Sequence, residues 1–523
     1  MTVMSFFARI RQCLSFKGGL KMDFTFVIIA DTHLPLVEGT AQYASLDWAI
    51  GDINNKKPAF AVVAGDITAS GDIAAFKAFE EKIKMLSIPC YTVLGNADMR
   101  TPENVSYAHS LRTGYTIDMG KRRIVCLDTS DGEINPEDRA TMKKCGEKDI
   151  IIIHHSLEGL DENSREFITK WASERSGVII HAHSHRNRDY FIGKTHVIGI
   201  RCLDPDKSVE KEPCLSYFNV NDNDVTLSEV LFDFPCDNLK DFRDKIGISC
   251  FDIYNDIDFA TQNNVKNIEI RTFNGSDEEL EFLRKRVKQW RNDGGDIVSV
   301  HMTNLRWNGS SVDGLDMWNK SIRIVKTIGA QTVTIHPPRA VRIGDMSKGS
   351  PMWEYLVDYF YDRICELPQS TKAGIENIHS SAREKDDEER FFGYTPQEIL
   401  GFVDALNEKF GFERVGVVFD IGHARNNGPH GRRNTIGVWE KMIGKRTTAY
   451  HIHQVSRKDE KMANHTAILN WAGAPYICFT TFLWAWQSNT VNHCPMFMEM
   501  RHQDNCKITL DALEKYFKER FNI

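Results

Sequence analysis

FTFVIIADTH, residues 24–33, is a run of apolar and β-branched residues that ends in Asp31 and His33. A short, continuously apolar run of this kind reads as a strand buried on both faces. The pattern recurs at FAVVAGD (60–66), CYTVLGN (90–96), RIVCLD (123–128), DIIIIHH (149–155) and GVIIHAH (177–183), each closing on Asp, Asn or His. Helical patterns separate the runs. Open α/β sheets place their ligand sites at the carboxyl ends of strands, so polar residues repeated there point to a site. A last β-like pair, CLSYFNV and VTLSEVLFD, closes this module near Asp233.

A charged, aperiodic segment, CDNLKDFRDK (236–245), reads as a linker, and a second rhythm follows it. Strand-like runs fall at IGISC (246–250), NIEIR (267–271), IVSVHM (297–302), TVTIHP (332–337), AGIEN (373–377), VGVVFD (415–420), AYHIHQ (449–454) and MFMEM (496–500). Amphipathic stretches such as DEELEFLRKRVKQW and TPQEILGFVDALNEKF lie between them. Eight strands alternating with helices over residues 246–523 predict a (β/α)8 barrel.

The whole chain is therefore expected to be α/β, with an N-terminal extension over 1–22, a first domain over 23–235 and the barrel over 246–523. Its 523 residues suit two to four domains at ~150 residues each. With 65 Lys and Arg against 72 Asp and Glu, net charge −7, the composition does not point to a general nucleic-acid binder. No apolar run approaches the ~20 residues of a membrane helix. Twelve scattered cysteines without a C-x-x-C read as reduced thiols, which predicts a cytoplasmic protein. The basic segment before Met22 is interrupted by Arg9 and Arg11 and lacks a signal-peptide pattern.

The strand-end residues of the first module form one set: Asp31, His33, Asp66, Asn96, His154 or His155, His183 and His185. Seven oxygen and nitrogen donors suit two divalent ions sharing a carboxylate. Two ions ~3.5–4 Å apart clamp a phosphoryl group and activate water for in-line attack. In order, DTH (31–33), GDIT (65–68), GNAD (95–98), HHS (154–156) and HAHSH (181–185) resemble the calcineurin-like metallophosphoesterases, over roughly residues 24–235. The resemblance implies a metallophosphoesterase α/β sandwich holding two metals (Mn, Fe or Zn). It assigns Asp31, His33, Asp66 and His185 to one ion, with Asp66 bridging to a second held by Asn96, His154 and His183. His181 has no counterpart and reads as structural. Two positions depart from the family: Ala97 replaces the histidine that serves the leaving oxygen, and Ala182 replaces a glycine. The first departure favours phosphodiesters or cyclic phosphates over monoesters with poor leaving groups.

In the barrel, chemistry is expected where strands end, at His301, His336, Glu376, Asp420, His423, His453 and Glu499. Three carboxylates and an imidazole from strands five to eight suit one divalent ion, Mn, Mg, Co or Zn, with open positions. GIEN (374–377), FDIGHA (419–424), HIHQ (451–454) and MEMR (498–501) resemble the xylose-isomerase-like barrels, which include sugar epimerases and the endonuclease IV group. The epimerase branch implies that Glu376, Asp420, His453 and Glu499 hold one metal, that Glu376 and Glu499 exchange a proton with carbon, and that His423 touches substrate oxygens. The endonuclease branch adds ligands matching His301 and His336 and an Asp-x-His pair, whose nearest counterpart is Ala463-Asn464-His465. Arg271, Arg306, Arg339, Arg342, Arg425, Arg457 and Arg501 follow strand ends and suit a phosphate or carboxylate. Trp307 suits either a sugar face or a loop anchor.

The sequence thus predicts a bifunctional metalloenzyme, a phosphoesterase fused to a sugar or sugar-phosphate isomerase or epimerase. Its expected substrate is a small anion, with His301, His336, Arg339, Arg457 and Arg501 as substrate contacts. One alternative is a two-module phosphodiesterase acting on nucleic acid or nucleotides. The other is a metal-binding ligand sensor.

Overall fold

A computed structural model describes residues 23–111, 115–120, 122–379, 390–425, 430–458, 461–473 and 476–523. The expected extension over 1–22 lies outside the described residues. Two compact units divide the chain. The first runs to Phe234 and includes Ala472–Cys478, and the second comprises Pro235–Trp471 and Phe479–Ile523.

The first unit contains β1 (Phe24–Ile29), β2 (Ala61–Ala64), β3 (Cys90–Val93), β4 (Tyr115–Asp118), β5 (Arg123–Cys126), β6 (Ile150–Ile153), β7 (Val178–His181), β8 (Arg188–Ile192), β9 (Thr195–Gly199), β10 (Cys214–Val220) and β11 (Val225–Leu231). They form a five-stranded sheet ordered β11-β10-β1-β2-β3 and a six-stranded sheet ordered β4-β5-β6-β7-β9-β8. Side chains alternate along each strand. Phe26 and Ile28 of one sheet accordingly pack with Ile150, Ile152 and Ile180 of the other. Val27 and Ile29 turn the opposite way, onto Leu46, Ile50 and Ile53 of the helix Ala41–Lys56. Val125, Ile151 and Ile153 meet Ile168 and Trp171 of the helix Glu162–Ser173. The result is a sandwich of two sheets with helices outside. The parallel pairs β1–β2, β2–β3 and β6–β7 all aim their carboxyl ends at the motif loops. Strands β4, β8 and β9 were not among the expected runs. They are short, and β8 carries exposed Arg188, Asp189 and Phe191, so it lacks the apolar run that marks a central strand.

In the second unit, β12 (Ile246–Cys250), β13 (Asn267–Arg271), β14 (Ile297–His301), β17 (Thr332–Ile335), β18 (Lys372–Glu376), β19 (Val415–Asp420), β20 (Thr447–Ile452) and β23 (Met496–Met498) close a barrel. Its pairs are parallel, and β12 joins β23 to complete the ring. Two hairpins stand between barrel strands, β15 (Arg306–Trp307) with β16 (Val312–Asp313), and β21 (Gln454–Lys458) with β22 (Lys461–Thr466). The outer helices carry their own start and stop signals. Ser276 and Glu279 form a reciprocal capping box on Asp277–Asn292, which buries Leu280, Leu283, Val287 and Trp290 on one face. Thr395 caps Pro396–Phe410, and Gly411, at φ 73°, ends it in the left-handed region.

The segment expected as a linker over 236–245 is instead ordered. It holds a 3-10 turn (Asp237–Leu239) and a short helix (Phe242–Lys245), with Leu239 and Phe242 fully buried. The Phe242 ring lies 5.0 Å from Trp486 and 5.5 Å from Phe517. Its charges hid two apolar anchors. Among the described residues no helix is long and apolar enough to cross a membrane.

Phe242→Ala should lower the stability of the barrel by about 3–5 kcal/mol through the cavity it leaves. Urea unfolding followed by tryptophan fluorescence reads this, and an unchanged midpoint would show that the segment is not part of the barrel core.

Candidate metal centres

In the first unit the motif loops converge through unusual backbone. Asp31, His33, Asp66, His183 and His185 all adopt positive φ, between 41° and 65°. Non-glycine residues rarely occupy this region, and surrounding contacts must hold them there. The first two loops are laced together by Asp31 N–H to Gly65 O (3.1 Å), His33 N–H to Asp66 O (2.9 Å) and Leu34 N–H to Ile67 O (2.8 Å). Asp98 braces the adjoining turn by accepting from the backbone N–H groups of Ile67, Thr68 and Gly95. Burial, then the nearby Asp66 charge, pushes the Asp98 carboxyl up to about 7.

Asp66 stands at the middle of the cluster. One oxygen, Oδ2, meets His33 Nε2 at 3.1 Å. The other, Oδ1, accepts from Ala97 N–H at 2.6 Å and lies 3.4 Å from His154 Nε2. His154 Nε2 also lies 3.2 Å from Asn96 Oδ1 and 3.2 Å from His183 Nδ1. On the other side, Asp31 Oδ1 lies 3.6 Å from His185 Nε2. All seven expected residues thus come together. His155 places its ring 4.5 Å from that of His183, but His154 is the residue whose Nε2 also meets Asn96 and Asp66. His181 is buried with Nδ1 on Ala182 O.

Burial raises Asp66, yet His154 and His33 outweigh it and hold the carboxyl well below its usual range. Burial, with Lys207 adding to it, pushes His33 down to about 3. The cluster therefore offers ionised carboxylates and a neutral His33, the forms that ligate metal. A residue that went unnoticed in the sequence completes it. Asp204, fully buried, sets Oδ2 3.3 Å from His33 Nδ1. Burial pushes its carboxyl up to about 7. The run VIGIRCLD (197–204) ends on this aspartate as the other runs do, so the signal was present.

In the barrel, Glu376 at the end of β18 is fully buried and surrounded by imidazoles. Its Oε2 meets His301 Nε2 (3.2 Å) and His336 Nε2 (2.9 Å). Its Oε1 meets His451 Nδ1 (3.0 Å) and lies 3.5 Å from His423 Nδ1. Asp420 Oδ1 lies 3.3 Å from His453 Nε2, and Oδ2 lies 3.4 Å from His423 Nδ1. His453 Nδ1 accepts from His465 N–H, and His465 Nδ1 lies 3.7 Å from Glu499 Oε2. Glu499 also pairs with Arg271, whose guanidinium lies 5.0 Å from the Phe251 ring.

Of the expected ligands, Glu376, Asp420 and Glu499 bring their oxygens within 4.8 Å of one another together with a nitrogen of His451, whereas His453 groups with His465 and Glu499 and meets Asp420 Oδ1. His301 and His336, expected as substrate contacts, lie against Glu376 itself. Arg501 is exposed, and Arg339 is half-buried and bridged through its backbone to Arg306. The Arg457 side chain lies outside the described residues. Trp307 packs edge-on against Tyr355, at 5.7 Å between ring centroids, as a loop anchor would. Glu269 and His451 were missed, although both sit inside the quoted runs NIEIR and AYHIHQ. Glu269 is fully buried in the barrel, receiving Ser249 Oγ–H, Ser299 Oγ–H and Thr334 Oγ1–H. His451 Nε2 lies 3.0 Å from its Oε2. Although burial alone would lower it, Glu269 and Glu376 hold His451 up at about 10.

Both clusters fit metal ions by their donors and by their unmet valences. Asp31 Oδ1, Asp420 Oδ2, His453 Nε2 and Glu499 Oε2 are buried without a hydrogen-bond partner among the described residues. Unpaired lone pairs in desolvated sites are what a bound cation satisfies. Ligand atoms of Asp31, His33 and His185 lie within 4.8 Å of one another, as do those of His154, His155 and His183, and those of His453, His465 and Glu499. The adjoining glycines leave the room: a Cβ on Gly95 would stand 2.3 Å from Asp66 Oδ1, and one on Gly422 2.0 Å from the His453 ring.

A two-sheet sandwich with a histidine–carboxylate centre, followed by a parallel barrel with another, defines a pair of metallohydrolase- and isomerase-type domains. Residues 24–227 match the model of the calcineurin-like phosphoesterases. Residues 239–516 match that of the xylose isomerase-like TIM barrels, and the chain belongs to that family. Among curated proteins none matches. Similar solved structures include a D-psicose 3-epimerase with D-tagatose from Clostridium cellulolyticum H10, at 14% identity, covering 52% of this chain and 97% of that one, with a TM-score of 0.36. An IolI protein with a zinc atom has 14% identity, 53% and 100% coverage and a TM-score of 0.39. A conserved phosphoesterase-like protein from Streptococcus pneumoniae TIGR4 has 12% identity, 41% and 92% coverage and a TM-score of 0.26.

Gly95→Ala should displace Asp66 and remove bound Mn²⁺ from the first unit. Gly51→Ala, whose Cβ meets nothing within 4 Å on a helix, should leave the metal content intact. Elemental analysis of the purified variants checks both, and full metal content in Gly95→Ala would contradict the packing described.

Proposed function

We propose that the first unit hydrolyses a phosphodiester or cyclic phosphate at a two-metal centre. The observation that carries this reading is Asp66, whose two oxygens face two different groups of ligands. Asp31, His33 and His185 would hold one ion, Asn96, His154 and His183 the other, and Asp66 would bridge them. Bound there, the pair of ions would supply Lewis acidity and a hydroxide nucleophile. The chain's own contribution is orientation: the strained loops set the carboxylates, and burial holds His33 and His183 low, so that their rings keep a lone pair. Ala97 contributes only its N–H, to Asp66, and provides no proton for a leaving group. This favours substrates whose leaving oxygen needs little protonation.

For the barrel, the geometry favours a centre of more than one ion with Glu376 as the bridge, and hence phosphoester hydrolysis. A carboxylate that removes a proton from carbon needs a free oxygen. Here imidazoles lie against both oxygens of Glu376. His301 and His336 would take one ion, while Asp420, His453 and Glu499 would take another. A second reading, a one-ion sugar or sugar-phosphate epimerase, is supported by Glu376, Asp420 and Glu499, whose ligand atoms gather with that of His451 within 4.8 Å, and by His453, whose Nε2 lies 3.3 Å from Asp420 Oδ1. In both readings the expected substrate is a small anion, and Arg271 is a cation already at the barrel centre.

With Mn²⁺, the chain should hydrolyse bis(p-nitrophenyl) phosphate, and Asp66→Ala or chelation should reduce this sharply. Any activity left in Asp66→Ala should fall further with His336→Ala. Metal-independent hydrolysis would refute the two-metal reading. Deuterium uptake from D₂O into a ketose by Asp66→Ala, retained in His336→Ala and lost in Glu376→Gln, would instead establish the epimerase reading.

A further inference from the structure

The expected ligands of the first centre come from the recognised motif loops, whereas Asp204 comes from the segment between β9 and β10. It is fully buried, and its two oxygens are divided between two tasks. Oδ1 accepts from Asp206 N–H at 2.8 Å, which closes a tight local turn and fixes the carboxylate plane. Oδ2 points at His33 Nδ1, 3.3 Å away. His33 Nδ1 has an acceptor in Asp31 O at 3.2 Å, while Nε2 faces Asp66 Oδ2 at 3.1 Å. Asp31 O, hydrogen-bonded to Nδ1, selects the tautomer that carries hydrogen there and leaves the Nε2 lone pair toward the ligand cluster, while Asp204 Oδ2, buried without a hydrogen-bond partner of its own among the described residues, adds a negative charge beside the same N–H. The segment is tied to the rest of the centre by His185 Nδ1 on Lys207 O at 3.1 Å, and Leu203 N–H reaches Ala30 O, next to Asp31, at 2.8 Å.

We propose that Asp204 is a positioning residue for the first metal centre: through His33 Nδ1 it reinforces the tautomer and ring angle that let His33 Nε2 bind an ion. This rests on the two-metal reading of that centre. A carboxylate behind a ligating histidine makes the ring a better ligand, and its loss typically costs 10–100-fold in metal affinity or activity. The effect should fall on metal affinity, because Asp204 reaches the ion only through His33.

The test uses the full-length chain, with Mn²⁺ as the probe. Two quantities are read for wild type, Asp204→Ala and Asp204→Asn. One is the Mn²⁺ concentration that half-activates bis(p-nitrophenyl) phosphate hydrolysis. The other is Mn²⁺ binding by equilibrium dialysis, with Asp420→Ala added to each chain to suppress the barrel's ions. Asp204→Ala should raise both constants by about 10–100-fold, while kcat returns close to wild type at saturating Mn²⁺. Asp204→Asn, which keeps an acceptor oxygen for His33, should raise them less than alanine does. A packing role alone would lower thermal stability without moving the Mn²⁺ constants. Should alanine fail to fold, the near-isosteric asparagine still decides the matter. Wild-type Mn²⁺ constants in a folded variant, or a kcat loss that saturating Mn²⁺ does not restore, would overturn the proposal. If wild type binds Mn²⁺ without hydrolysing the ester, the hydrolytic reading fails, and the dialysis constants still decide the role of Asp204.

Discussion

A buried carboxylate is stable only when positive or hydrogen-donating groups surround it, and both centres are built around one. Removing an ionised carboxylate from water costs several kcal/mol even after the protein relaxes. Asp66 is 3% exposed and Glu376 is not exposed at all. Each answers that cost in the same way, by turning its two oxygens toward different imidazoles. Opposed faces of one carboxylate are also the geometry of a bridge between ions. The arrangement that makes burial tolerable is therefore the one that prepares the site for metal.

The backbone bears the remaining cost. Five of the seven expected ligands in the sandwich lie at positive φ, a conformation that gains nothing locally. It persists because parallel strands deliver the loops side by side and hydrogen bonds lock them, as between residues 31–34 and 65–67. Beside the ligands, glycine stands where a side chain would collide, as at Gly65, at φ 84°, whose Cβ would stand 2.5 Å from His154 Nδ1. In the barrel the strand ends do this work, since inward positions of a closed parallel ring already converge. There a polar layer of Ser249, Glu269, Ser299, Thr334 and His451 underlies Glu376, where a purely apolar core would be the usual filling.

Much of this was legible in the residues. Most strands announce themselves because a strand buried on both faces is largely apolar, as the eight barrel strands and most sandwich strands are, although the central strand β9, only five residues long, was passed over. Edge strands such as β8 carry no such obligation, and their charges concealed them. The 236–245 segment misled for the same reason, since Leu239 and Phe242 are two buried anchors among charges. At the sites, residues at strand ends in named motifs were found. Glu269 and His451 were not, because a polar residue within an apolar run gives no sign of whether its partner is a hydroxyl, a histidine or an ion. Asp204 required the strand-end rule to be carried one run further. That His301 and His336 meet Glu376 is a tertiary fact, since the three lie on different strands.

The central claim is that two separate carboxylates, Asp66 and Glu376, each anchor a metal centre. Anomalous diffraction at the manganese edge, from crystals of the full-length chain grown with Mn²⁺, tests it most directly. The account predicts a pair of peaks flanking Asp66 and at least one peak beside Glu376, with a second peak within reach of His301 and His336. Peaks confined to other residues, or ordered crystals without density at either carboxylate under saturating Mn²⁺, would contradict it.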